Sequence, residues 1–144
     1  MPSDALLLDT SVLLRFFVDH DDDLQPKAAS LAGAWLDDRI QLVLLDLSVY
    51  ELVNVSARRL GHGADRIRAD VGDLFRLRLP MQTVDGRLAA DAGAVAVASG
   101  LSAYDAAFLA AARRLGIGLV TGDDRLVEVG AGDAVHLAAV DLPD

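Results

Sequence analysis

Four acidic residues stand where apolar runs give way to a turn or a helix start: Asp9 in LLLDTSVLL, Glu51 in DLSVYELVNV, Asp105 in LSAYDAAFLAAA and Asp123 in LVTGDDRL. Carboxylates so far apart in sequence can meet only if the fold brings them to one edge. In an open α/β sheet that edge is the crevice beyond the carboxyl ends of the strands. Acids crowded there repel one another unless a divalent cation lies between them. The four positions therefore predict a metal site, and through it hydrolysis.

Each acid also has an ordinary structural explanation. Three of the segments fit the capping pattern of a helix start: Ser48-x-x-Glu51, Ser102-x-x-Asp105 and Thr121-x-x-Asp124. Asp9 could simply end a strand. Taken singly, each acid is better explained by capping or by a turn. Taken together, they favour the metal site, because the topology could deliver all four to one crevice.

The positions of strands and helices follow from short apolar runs, helical periodicity and caps. Buried strands are predicted at residues 5–8, 42–45, 81–84, 119–120 and 135–140. Helices are predicted at residues 12–17 with Ser11 as cap, 26–38, 48–60 with Ser48 as cap, 64–76, 85–99, 102–115 with Ser102 as cap, and 123–129. Strands that alternate with helices indicate an α/β fold whose parallel sheet is covered on both faces.

Composition limits the classes of protein that remain. The 144 residues suit one domain over the whole chain, and the absence of cysteine excludes disulfides and thiolate metal sites. No apolar run approaches the ~20 residues of a membrane span, and Asp4 stands where a signal peptide would carry positive charge, so we expect a cytoplasmic protein. The net charge of −9 argues against nonspecific binding of nucleic acid, although the arginines could still form a local basic stripe.

The four motifs together carry a resemblance to a known family. The chain resembles PIN-domain nucleases, and most closely the VapC-type toxins of bacterial and archaeal toxin–antitoxin pairs. The matching segments, in order along nearly the whole chain, are Asp9-Thr10-Ser11 with VLL, Glu51-Leu52-Val53-Asn54, Ser102-Ala103-Tyr104-Asp105-Ala106-Ala107, and Thr121-Gly122-Asp123 with Leu126.

The resemblance implies a three-layer α/β/α sandwich with a central, mainly parallel sheet. It also implies an endoribonuclease that depends on Mg²⁺ or Mn²⁺ and acts as the toxin of a type II pair. Asp9, Glu51, Asp105 and Asp123 become the catalytic and metal-binding quartet, which selects Asp123 over its neighbour Asp124. Ser11 and Thr121 match hydroxyl positions that orient carboxylates or water. A homodimer and a small antitoxin that reaches the acids with a basic side chain are the implied partners.

Arginines, histidines and aromatic residues outside the four acids could also take part in binding. Arg15, Arg58 and Arg59 lie on helices that begin beside Asp9 and Glu51, where they could pair with phosphate or be solvated helix faces. The three histidines lack the spacing of metal ligands and are interpreted as surface or packing residues. The aromatic side chains of Phe16, Phe17 and Trp35 are interpreted as core, or as a surface that receives an antitoxin helix.

Two other functions remain open alongside the toxin. One is a PIN-domain nuclease of housekeeping RNA processing. The other is a PIN-like domain that only binds RNA or protein, with the acids acting as helix caps.

Overall fold

The computed structural model describes residues 4–144, which form a five-stranded parallel sheet in the order β3-β2-β1-β4-β5. The strands are β1 (Ala5–Leu8), β2 (Gln41–Leu45), β3 (Met81–Gln82), β4 (Gly118–Thr121) and β5 (Ala134–His136). The chain builds the sheet outward from β1 to β3 and then resumes on the other side of β1 with β4. The strand order thus reverses between β1 and β4, and such a switch point opens a crevice at the carboxyl ends of the strands.

Helices cover both faces of the sheet, which confirms the predicted α/β/α sandwich. The helices are α1 (Thr10–Leu13), α2 (Gln25–Leu36), α3 (Leu47–Arg58), α4 (Ala64–Arg76), α5 (Gly86–Ser99), α6 (Ala103–Leu115) and α7 (Asp124–Gly130). Two 3₁₀ turns, Leu14–Phe16 and Leu137–Ala139, complete the elements.

The central strands β1, β2 and β4 are mostly apolar because both faces of the sheet are buried there. On β1, the side chains of Leu6 and Leu8 pack with the core of α1 to α4, while those of Ala5 and Leu7 pack with the core of α5 to α7. Since side chains of a strand alternate between faces, one four-residue segment serves both cores. This central strand holds Asp9, the residue that follows it, at the crevice.

Two of the predicted helix starts were wrong by one or two residues. Helix α1 is capped by Asp9, whose side chain accepts from the backbone N–H of Thr10, and Ser11 lies inside the helix. Helix α3 begins at Leu47, so Ser48 is a buried residue of its first turn. In both cases the serine hydroxyl bonds to another side chain, Ser11 to Asp9 and Ser48 to Thr10, instead of capping the helix.

The two edge strands are shorter than predicted. Strand β3 ends at Gln82, and the backbone N–H of Val84 donates to the Asp46 side chain in place of a neighbouring strand. Strand β5 ends at His136, whose ring nitrogen accepts from the backbone N–H of Ala138 and turns the chain into the second 3₁₀ segment. A side-chain hydrogen bond to the backbone thus ends the ladder at both edges.

The predicted starts and ends of α5 and α6 are confirmed. Asp85 and Ser102 cap the two helices through their side chains, and Gly100 and Gly116 end them with φ of 75° and 67°. In residues 4–144 no single helix has the length and hydropathy to cross a membrane, although α5 and α6, bent by 116° at the break between them, pass that test together by length and composition.

Candidate active site

A cavity of about 420 Å³ opens at the switch point, and all four acids named from the sequence line it. Asp9 follows β1, and Thr121 ends the neighbouring strand β4, so both lie where the strand order reverses. The other acids are brought there by α3, by the first turn of α6 and by the cap of α7. The lining residues are Asp9, Thr10, Ser11, Leu14, Glu51, Asn54, Val55, Arg59, Asp105 and Asp123.

The carboxylate of Asp9 is almost entirely buried, and hydrogen bonds from three donors fix its orientation. One carboxylate oxygen accepts from the backbone N–H of Thr10 at 2.8 Å. The other accepts from the hydroxyls of Ser11 at 3.0 Å and Thr121 at 2.6 Å. Both hydroxyls accept in turn from the backbone of the β4–α7 turn, Ser11 from Gly122 and Thr121 from Asp123. This network ties the ends of β1 and β4 together.

Glu51 is oriented by Thr10, which sequence reasoning had given no role. The Thr10 hydroxyl donates to Glu51 Oε1 at 3.2 Å. The hydroxyls of Thr10 and Ser48 lie 3.1 Å apart, and since Thr10 has only one hydroxyl hydrogen, Ser48 is then the donor between them. Ser48 thus steadies Thr10 rather than capping α3. The only signal for Thr10 in the sequence was its place between Asp9 and Ser11.

Asp105 and Asp123 reach the cavity from helix starts. The Ser102 hydroxyl caps α6 by accepting from the backbone N–H of Asp105, which leaves the carboxylate of Asp105 to face the cavity. Asp123 caps α7 by accepting from the backbone N–H of Arg125. Its neighbour Asp124 is exposed and lies 3.6 Å from His136. The structure therefore places Asp123, rather than Asp124, with the other acids.

Burial and mutual repulsion raise the pKa of three of these acids. Burial is the main cause for Asp9, to which the charge of Asp105 adds, while hydrogen bonds from Thr121, Ser11 and the Thr10 backbone oppose the rise in pKa. The pKa of Glu51 is raised by burial, against the hydrogen bond from Thr10, with the charges of Asp9 and Asp105 adding to the rise. The pKa of Asp105 is raised by burial and by the charge of Asp123, while Ser102 and Arg125 oppose it. The cavity thus concentrates negative charge.

No protein cation neutralises that charge directly. Among the ion pairs of residues 4–144, none includes any of the four acids. Arg59 lines the cavity with them but is exposed. A divalent cation would balance several carboxylates in one cleft.

The donor set fits a hard divalent ion by its chemistry. Carboxylate oxygens are the ligands that Mg²⁺ and Mn²⁺ prefer, and Mg²⁺ keeps several waters while one or two carboxylates hold it. Within the part of the chain that the structure describes, no three acidic or histidine side chains stand close enough to ligate one ion together. The arrangement therefore suits an ion that is bound partly through water.

The residues predicted to orient the carboxylates or water (Ser11 and Thr121) and to pair with phosphate (Arg15) lie in different surroundings. Ser11 lines the cavity, while Thr121 is fully buried behind Asp9, where it can orient the carboxylate but not reach a ligand. Arg15 is not brought to the cavity, since it pairs with Asp22 and lines a separate groove. Arg59, named with it from the sequence, and Asn54, which had no assigned role beyond its place in the matching segment, also line the cavity.

Comparison with known proteins agrees with this architecture. The sequence model of the PIN domain matches residues 6–132. No curated protein sequence matches the chain at a significant level.

Solved structures share the fold at low sequence identity. PAE2754 from Pyrobaculum aerophilum superposes with a TM-score of 0.67 at 23% identity over 95% of this chain and 92% of its own. VapC20 of Mycobacterium tuberculosis, a sarcin–ricin loop cleaving toxin, gives a TM-score of 0.69 at 20% identity over 88% and 95% of the two chains. A protein of a toxin–antitoxin complex from Klebsiella pneumoniae gives 0.66 at 19% identity over 92% and 97%.

The match of the family model covers most of the sequence and includes all four cavity acids, and the chain belongs to the PIN-domain family.

Proposed function

We propose that this protein is an endoribonuclease that depends on Mg²⁺ or Mn²⁺ and serves as the toxin of a type II toxin–antitoxin pair. The observation that carries the proposal is the convergence of Asp9, Glu51, Asp105 and Asp123 on one cavity, with no ion pair to any of them among residues 4–144. Three of these acids have a raised pKa, so their charges are electrostatically unfavourable together at neutral pH. Such a site is selected for what it binds rather than for the stability it gives.

In this proposal the four acids hold the metal ion partly through its bound waters, with Asp9 fixed by Ser11 and Thr121 and Glu51 fixed by Thr10. A bound divalent ion supplies a nucleophilic water at neutral pH and neutralises charge on phosphate oxygens. The exposed guanidinium of Arg59 lies beside the acids, where it can pair with a phosphate of the substrate. Because the chain as a whole carries a charge of −9, this local cation would position RNA that the rest of the surface repels.

Cleavage of a mixed RNA pool tests the nuclease. The wild-type protein should cut the pool in Mn²⁺ and not in EDTA. Asp9→Asn should lose at least about 100-fold in rate, since changes around metal ligands alone commonly remove 10–100-fold. Asp85→Asn is the matched control, because Asp85 also caps a helix with its side chain but pairs with Arg114 at the surface. Cleavage that survives Asp9→Asn, or that persists in EDTA, would refute the proposed chemistry.

A groove beside the cavity supports an antitoxin partner. It has a volume of about 530 Å³ and its apolar walls include the half-buried rings of Phe16, Phe17 and Trp35 and the largely exposed Leu36. Leu14 lines the acidic cavity, and the next residues of the same 3₁₀ turn line the groove, so one peptide could occupy both. The Nε of Arg15, which also lines this groove, is buried without a partner. We propose an amphipathic segment there, followed by a basic side chain among the acids.

The antitoxin proposal is tested by co-expression with the adjacent small gene. The toxin alone should arrest growth, and the partner should restore it and co-purify with the toxin. Leu36→Asp should break this complex, because Leu36 is 71% exposed and lines the groove. Val97→Asp, at an 89% exposed position of α5 on the opposite layer, should leave the complex intact. RNA cleavage without growth arrest, and without any small partner gene, would favour housekeeping RNA processing.

A cytoplasmic homodimer completes the proposal. Light scattering after gel filtration should give about twice the mass of the 15.2 kDa chain. A monomer at micromolar concentration would contradict the dimer but leave the nuclease unaffected.

A further inference from the structure

A second cavity adjoins the acidic one at the N-terminal turns of α3 and α6. It has a volume of about 460 Å³, within the range of ligand sites, and shares Glu51, Asn54 and Asp105 with its neighbour. Its other walls are formed by Leu47, Ser102 and two aromatic rings, those of Tyr50 and Tyr104. A ligand held here would lie directly beside the carboxylates.

The two rings are placed unlike most aromatic side chains of the protein. Tyr50 and Tyr104 are the only tyrosines in the sequence, and they are 78% and 64% exposed. Each immediately precedes one of the acids, Glu51 on α3 and Asp105 on α6. Phe108 is fully buried, and Phe16, Phe17 and Trp35 pack against the core. Two large apolar rings left in water at the mouth of one cavity indicate a surface that another molecule covers.

The chemistry of this cavity favours a nucleobase over a phosphate. Its walls combine flat aromatic rings and the apolar side chain of Leu47 with the hydrogen-bonding groups of Asn54 and Ser102. The negative charges of Glu51 and Asp105 would repel a phosphate, whereas they would not repel a neutral base. Bases stack on aromatic side chains whatever their identity, and amide side chains can pair with base edges.

We propose that Tyr50 and Tyr104 form a stacking site for an unpaired nucleobase next to the bond that is cut. This inference rests on the proposed function, which places nucleic acid at the acidic cavity. It adds that the substrate is single-stranded at that point, because a base within a duplex cannot offer its face to a side chain. The two tyrosines are then binding residues, distinct from the acids that act on the phosphate.

The two tyrosines can be observed directly. Protein labelled with 3-fluorotyrosine gives two ¹⁹F signals, which Tyr50→Phe and Tyr104→Phe assign. A single-stranded RNA octamer of mixed sequence is added without divalent ions, so that no cleavage is needed for the readout. Both signals should shift with this octamer. An octamer of the same backbone with abasic sites, and a blunt duplex of the same sequence, should leave both signals in place.

Substitutions give the size of the effect. Tyr50→Ala and Tyr104→Ala should each weaken binding of the octamer about tenfold, whereas the two Phe variants should stay within about twofold, since the stacking ring remains. Phe75→Ala is the matched control, because Phe75 is 54% exposed on α4 and does not line either cavity. Its affinity should equal that of the wild type.

Three results would overturn the inference. The abasic octamer or the duplex could shift the signals as strongly as the single strand. The Ala variants could bind as well as the wild type. The signals could move with protein concentration alone, which would assign the two rings to an interface between copies of this chain. The nuclease proposal fails separately: shifts with the octamer but no cleavage in Mn²⁺ would keep the stacking site and remove the enzyme.

Discussion

The pKa values of aspartates are shifted in opposite directions in two regions of this molecule. In the acidic cavity, Asp9 and Asp105 have a raised pKa, because burial and neighbouring carboxylates disfavour their charge. At the surface, hydrogen bonds from Arg15 and Arg114 hold the pKa of Asp22 and Asp85 below the usual value. The side chain is the same in both regions. The surroundings decide the direction: burial and neighbouring carboxylates raise the pKa in the cavity, and a guanidinium lowers it at the surface.

The difference shows how the chain distributes its cations. Arginines pair with carboxylates along the helix surfaces, while the carboxylates of the cavity receive only hydroxyl and backbone donors within residues 4–144. Hydroxyls orient a carboxylate without neutralising it. The cavity therefore keeps a negative charge that none of the arginines in residues 4–144 pairs with. A mobile cation can balance it. Changes to the cavity acids and changes to the surface ion pairs should therefore have different effects on stability.

Adding Mn²⁺ should give the largest effect on stability. An ion that binds only the native state stabilises it by about 2.7 kcal/mol at 100 times its Kd, which raises the melting temperature of a chain this size by about 5–10 °C. Differential scanning fluorimetry in EDTA and in Mn²⁺ measures the shift. Asp9→Asn should lose most of it, and Asp85→Asn should retain all of it. Equal shifts in the two variants would place the ion outside the cavity.

Removing a hydroxyl from the cavity should have the next largest effect. Thr121→Val deletes the buried donor 2.6 Å from Asp9 and the acceptor of the Asp123 backbone. A lost hydrogen bond to a charged group costs about 1.5–3 kcal/mol, so the melting temperature should fall by about 5 °C.

Two further variants complete this test, one at the same position and one at the surface. Thr121→Ser keeps the hydroxyl and should lose much less stability. Arg114→Gln removes the guanidinium from exposed Asp85 and should change the melting temperature only slightly, because surface pairs contribute little. A larger loss in Arg114→Gln than in Thr121→Val would reverse the comparison between the two regions.

The sequence predicted the position of the site well because position depends on topology. Alternation of strands and helices implied a crevice, and the apolar runs placed Asp9 and Asp123 at its edge. The structure brings these two acids and Glu51 and Asp105 into one cavity, while their roles in metal binding and catalysis stay predictions. The ends of α5 and α6 were also predictable, because a capping side chain and a glycine act locally.

The contacts of Thr10 could not be predicted, because its hydroxyl bonds to Ser48 and Glu51, which are far from it in sequence. Ser48 fits a local capping pattern, yet its hydroxyl bonds to Thr10. Local propensity and long-range bonding compete for the same hydroxyl, and the sequence shows only the first. The position of Arg15 was not predictable either: its side chain pairs with Asp22 and does not line the cavity.

Acidification of the metal-free protein should stabilise it at first. A raised pKa means that the folded state binds the proton more readily, so the cavity acids favour unfolding at pH 7 and lose that effect as the pH falls through their folded pKa toward 3.8 for Asp and 4.5 for Glu. Asp22 and Asp85, whose pKa is lowered, stabilise the folded state, and this contribution is lost only as the pH falls below 3.8. The melting temperature in EDTA should therefore rise by a few degrees between pH 7 and about pH 5.

The double variant Glu51→Gln, Asp105→Asn isolates the contribution of the cavity to this pH dependence. Histidines titrate in the same range, and their effect cancels in the difference between wild type and variant. The difference should shrink as the pH falls. A constant difference from pH 7 to pH 5 would mean that the two acids are not repelled in the folded state.

A single neutral substitution in the cavity should give the smallest effect. Asp105→Asn in EDTA removes the repulsion with Asp123, Glu51 and Asp9, while the backbone N–H of residue 105 still donates to Ser102. A negative side chain in the first turn of α6 also favours the helix by about 0.3–1 kcal/mol, and its loss opposes the gain. The melting temperature should rise by about 1–2 °C at pH 7. Asp85→Asn, which loses attraction to Arg114 instead of repulsion, should fall slightly. If both variants moved in the same direction, the helix starts rather than the neighbouring charges would govern the two regions.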